Sequence, residues 1–131
     1  MITVAEAVWS GRNGGEWYFE SREGIAPAMG ALNVLSAARR DQLERRREAI
    51  ERAVETGKSN PRVAGGEGEN IAFENGMCVM THTYMEDQRA VVHPDEVLRL
   101  IDWRLRIMES PDFKNPDADF EPIEIEYQEI D

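Results

Sequence analysis

The sequence predicts an α+β fold, a small antiparallel sheet with a long helix and a second helix packed on one face. Three observations carry this expectation. Short alternating segments flank turn residues near the start, in the middle and at the end of the chain. Two longer segments repeat apolar residues at three- and four-residue steps instead. The 131 residues, 41% apolar, suffice for one core and are too few for two ordinary ones, so 1–131 is read as a single domain.

The first element is a hairpin over 1–20. ITVAEAVW is rich enough in β-branched and apolar residues for a strand, Arg12 to Gly15 supply a turn, and EWYFE is a second, aromatic strand. A helical segment follows over 25–57. Leu32, Leu35, Leu43, Ile50 and Val54 recur at helical steps, and Ala37, Ala38, Ala49 and Ala53 fill the same side. Ser36 is placed to cap its main part, and Gly57 to end it in a left-handed conformation without a Cβ penalty. Pro61, Gly65, Gly66 and Gly68 make 58–69 a loop.

A meander is expected over 70–92. Asn75-Gly76 suits the two positive φ angles of a type I′ turn between Asn70–Phe73 and Met77–Tyr84, and RAVV from Arg89 adds a third strand. The helix over 94–109 begins at His93-Pro94-Asp95-Glu96, where proline has no donor to lose and two acids meet the positive end of the dipole. Its polar stripe, Asp95, Arg99, Asp102, Arg106 and Glu109, lies opposite Val97, Leu98, Ile101, Leu105 and Met108. Pro111, Pro116 and Pro122 mark an extended linker into a C-terminal strand over 119–130, taken to pair at an edge or reach toward a partner.

Charge narrows the function classes. Twenty-six acids against fifteen bases give a net charge of −11, which repels nucleic acid and anionic membrane and favours a basic protein partner. Between Glu109 and Asp131 nine acids face Lys114 alone. In the last strand Ile123, Ile125 and Tyr127 alternate with Glu124 and Glu126. Such glutamates either discourage edge-to-edge association or form a surface complementary to a basic partner; the two roles are compatible. The partner-binding candidates are Asp119, Glu121, Glu124, Glu126 and Glu129.

Other chemistry finds little support. Cys78, the single cysteine, permits no internal disulfide and no multi-thiolate zinc site. Cys78 and His82, four apart in a strand, stand ~13 Å apart at ~3.3 Å per residue, beyond the reach of a catalytic pair. GGEGEN lacks the lysine and spacing of a phosphate loop. The helix from Arg39 to Glu55 alternates arginines with acids, as in Asp41–Arg45, Glu44–Arg47 and Glu48–Arg52, so it reads as a largely self-paired face rather than an RNA site. No catalytic residue, metal site or cofactor is assigned. No apolar run is long enough to span a bilayer and no secretory leader is evident, so a cytoplasmic location is expected.

Residues 70–108, NIAFENGMCVMTHTYMEDQRAVVHPDEVLRLIDWRLRIM, resemble the core of bacterial polymorphic-toxin and contact-dependent-inhibition immunity proteins. The likeness rests on the N-G hairpin, the His82-x-Tyr84 strand end, a short strand, and a helix holding Trp103. It implies a cytoplasmic α+β inhibitor that binds a cognate secreted toxin, often a nuclease, and blocks it. A nuclease is electropositive where it holds phosphate, so the charge balance agrees. Three alternatives remain open from sequence: a phage-type nucleic-acid mimic that blocks a defence nuclease, a homo-oligomeric structural subunit, and a small hydrolase.

Overall fold

Asn75 and Gly76, with φ of 50° and 80°, form the tight turn at the heart of the sheet, as their residue types require. The computed structural model describes residues 2–10, 16–21, 40–65, 69–82, 89–112, 115 and 120–130. Seven strands are described: β1 (Ile2–Ser10), β2 (Glu16–Ser21), β3 (Asn60–Gly65), β4 (Glu69–Glu74), β5 (Met77–His82), β6 (Arg89–Val92) and β7 (Ile123–Ile130). Two helices, α1 (Arg40–Thr56) and α2 (Pro94–Glu109), accompany them. The sheet runs β2-β1-β7-β6-β5-β4-β3, every neighbouring pair antiparallel. The expected α+β architecture is present, and no described helix is long and apolar enough to cross a membrane.

One face of the sheet is the core. Phe73 pairs with Cys78 and Cys78 with Val92; Ile71 pairs with Met80 and Met80 with Ala90. All six are buried, as are Ile125 and Tyr127 of β7. The helices cover this face: α2 lies against β7 and β5, and α1 against α2 and β3. Leu43, Ile50 and Ala53 of α1 enter the core, whereas Val54, grouped with them by spacing, is 48% exposed. It falls one step round the helix from Ala53, outside the buried stripe.

Both helices begin or end as their termini dictate. Gly57, at φ 68°, donates its N–H to the Ala53 carbonyl at 2.8 Å and closes α1. His93 caps α2, its Nδ1 accepting the Asp95 N–H at 3.1 Å, with Pro94 in the first turn. The buried side of α2 is wider than predicted. Leu100, Trp103, Arg104 and Ile107 join Val97, Ile101 and Leu105, while Leu98 and Met108 are half-buried. The extra burial arises on the flank of α2 where the run-in to β7 lies, and there Trp103 Nε1 donates to the Glu121 carbonyl at 2.9 Å.

Two expectations are corrected. The loop predicted over 58–69 contains β3, an edge strand that tolerates Pro61 because one side needs no ladder partner and a bulge interrupts the pairing between Asn60 and Ala64. Val63 of β3 is buried, Asn60 Oδ1 accepts the Arg62 N–H at 3.0 Å, and Asn70 Nδ2 donates to the Pro61 carbonyl at 2.9 Å. The C-terminal strand is no edge either, since β7 pairs with β1 on one side and β6 on the other and joins the N-terminal hairpin to the meander. The turn at 12–15, the Ser36 cap and residues 25–39 of the helical segment lie outside the described residues.

Candidate functional site

Strand alternation divides β7 cleanly. Ile125 and Tyr127 point into the core, and Glu124, Glu126 and Gln128 are exposed on the opposite, outer face. The register extends this acidity across neighbouring strands. Glu6 of β1 pairs with Glu20 of β2 on one side and with Glu124 on the other, so three glutamates occupy one cross-strand row.

The ladder between β6 and β7 is short: β6 pairs only with Gln128, Glu129 and Ile130, and the chain then turns at His93 into α2. Side chains from the first turns of α2 take over along β7. Glu96 Oε2 accepts the Glu126 N–H at 3.0 Å, Arg99 Nη1 approaches the Glu124 carbonyl at 3.4 Å, and Arg99 and Glu96 pair at 2.8 Å. Beside this junction is a notch of about 160 Å³, lined by Met77, Val91, His93, Glu96, Glu126 and Tyr127. Its walls are largely apolar, with one exposed carboxylate and one mostly covered one. Among the described residues no cation lies within ion-pair distance of the Glu126 carboxylate.

Of the five predicted site residues, four lie among the described residues. Glu124 and Glu126 share the outer face. Glu121 is exposed on the run-in to β7, beside a separate cavity of about 440 Å³ that also holds Trp103, Arg106 and Phe120. Glu129 pairs with Ala90 in the β6 ladder. Asp119 lies outside the described residues. Glu6, Glu20 and Glu96 were missed, since only the pairing of distant segments brings them to β7.

The arginines of α1 act partly within the fold. Arg45 pairs with Asp41 at 2.8 Å as expected, but Glu44 is met by Arg40, at 3.3 Å, and not by Arg47. Arg47 reaches Glu51 at 3.0 Å and crosses to Asp102 at 2.7 Å, and Arg40 crosses to Glu109 at 2.6 Å. These two crossings tie α1 to α2. Burial lowers Arg46, and it lowers the Arg104 guanidinium to about 10. Burial also raises the Cys78 thiol to about 11, so Cys78 is a packed side chain with no thiolate to offer at neutral pH. Among the described residues no three His, Cys, Asp or Glu converge as metal ligands.

Comparison of the chain with protein-family models, with curated proteins and with solved structures returned no significant match.

Proposed function

We propose that the protein is an immunity-type inhibitor that binds a cognate basic toxin, of the nuclease class, and neutralises it through the outer acidic face of β7. The observation that carries this reading is the position of Glu124 and Glu126: exposed on the outer face of β7, with β1 in register on one side and Glu96 and Arg99 of α2 meeting their backbone on the other. Solubilising an open edge is one reason to place glutamates on a strand; here the side of Glu124 and Glu126 away from β1, beyond the β6 ladder, is met by Arg99 and Glu96 of α2. Carboxylates exposed together on one face make favourable contacts when a cationic surface covers them. Inhibition of this kind is stoichiometric binding, carried out in the cytoplasm of the cell being protected.

The test is binding to the product of the adjacent gene, taken as the candidate toxin. The expected result is a one-to-one complex whose association rate falls as salt rises and falls further in Glu124→Lys and in Glu126→Lys, with protection from the toxin lost in parallel. A complex unaffected by either reversal at low salt would remove this face from the interface. Absence of any complex with the neighbouring toxin would overturn the inhibitor reading.

A further inference from the structure

We infer that the notch between the start of α2 and β7 is a socket for a single arginine side chain of the partner. This deepens the inhibitor reading and rests on it for the identity of the partner, though the socket has a chemistry of its own. At about 160 Å³ it is smaller than the ~300 Å³ or more of an ordinary small-molecule site, and it fits one extended side chain. The wall residues state which one. Met77 and Val91, each half-buried on the outer face, offer an apolar surface for a methylene stem. Glu126 stands exposed at the same notch, and Glu96 lies behind it with 20% of its side chain accessible.

Charge separates the candidate occupants. Glu96 is already engaged by Arg99 and by the Glu126 N–H, so its orientation is fixed before any partner arrives. Glu126 meets no cation among the described residues, and its carboxylate can accept a guanidinium through two parallel hydrogen bonds. An acidic or purely apolar side chain would bury that carboxylate without compensation. The register places the socket within the candidate face. Val79 pairs with Val91 and Val91 with Gln128, so Met77 and Glu126 stand two residues further along β5 and β7, beside His93 just past the end of β6 and two residues from Glu124. An arginine seated here would anchor the centre of the contact while the glutamate row meets the surrounding cations, the arrangement in which a buried anchor dominates affinity.

The experiment is a titration of isotope-labelled protein with N-acetyl-arginine amide, followed by amide shifts, with N-acetyl-citrulline amide as the neutral isostere. The expected result is saturable shifts confined to Met77, Val91, His93, Glu126 and Gln128 for arginine, none for citrulline, and affinity about tenfold or more weaker in Glu126→Gln and in Met77→Ser. Shifts spread over all the acidic segments without saturation, or unchanged affinity in both variants, would overturn the socket. The toxin complex separates the two ideas. If it forms and is indifferent to Glu126→Gln and Met77→Ser, the socket fails and the inhibitor reading stands. If the arginine probe seats as described and no toxin is bound, the socket stands and that reading falls.

Discussion

The Glu96 carboxylate accepts the backbone N–H of Glu126 at 3.0 Å, thirty residues away in sequence, and so stands in for the strand that β6 is too short to supply. Its other oxygen holds Arg99, which reaches on to the Glu124 carbonyl. One helical turn thereby satisfies the backbone of β7 at the two residues that present the outer carboxylates. The candidate face is rigid at this point because helix and strand share a hydrogen-bond network.

Glu96→Ala should therefore destabilise the fold by about 1–2 kcal/mol, the range for a charge-assisted hydrogen bond at a partly accessible site. Glu96→Gln, which keeps an acceptor oxygen and loses the Arg99 ion pair, should cost less than half as much. Urea unfolding of the two variants checks this. Equal losses would mean that the ion pair with Arg99 matters and the bond to β7 does not.

Legibility in the sequence tracked the distance over which each feature is decided. The Asn75-Gly76 turn, the His93-Pro94 start of α2 and the Gly57 end of α1 depend on a few adjacent residues, and each was placed from residue type alone. β3 was hidden because Pro61 and Gly65 read as loop chemistry, and only pairing with β4 and burial of Val63 make a strand of them. The central position of β7 was hidden for the same reason, since strand order is set by partners over a hundred residues apart, such as Ala5 and Ile125. The exposed pair Glu124 and Glu126 was readable from alternation. Their neighbours Glu6, Glu20 and Glu96 were not, because pairing and helix docking bring them there.

The exposed glutamates predict a salt-dependent effect on binding. Glu124→Gln removes one carboxylate from the outer face of β7, so it should slow association with the proposed basic partner at low ionic strength, with the difference shrinking as salt is added. Stopped-flow association rates at two salt concentrations give the reading. Equal rates for parent and variant at low salt would take Glu124 out of the contact.

Cys78 gives a prediction about alkaline pH. Its thiol is held in the core between Phe73 and Val92 and raised to about 11 from an ordinary value near 9, so between those values the unfolded chain ionises while the folded one stays neutral. The unfolded state then binds fewer protons, and stability falls as pH rises from 9 to 11, by up to ~2 kcal/mol from this group. Below pH 9 the group contributes no slope. Cys78→Ala should flatten this part of the stability curve relative to the parent. In the parent at pH 8, labelling by a thiol reagent should be slow and accelerate with urea; rapid labelling in native buffer would place the thiol outside the core.

The position of β7 makes the end of the chain the tie between two halves of the sheet. Among the described strands it alone connects β1 and β2 with the four strands β6, β5, β4 and β3, and Ile125, 1% exposed, fills the core at that junction. Ile125→Ala should cost about 2–5 kcal/mol, the range for emptying a buried aliphatic site. The loss should also be shared across the sheet, with amide exchange rising in β1 as well as in β6, since both ladders depend on the same strand. Hydrogen exchange resolved by residue decides the matter. If protection in β6 falls while β1 is unchanged, the N-terminal hairpin is held by contacts other than β7, and the acidic row across β2, β1 and β7 loses its structural basis.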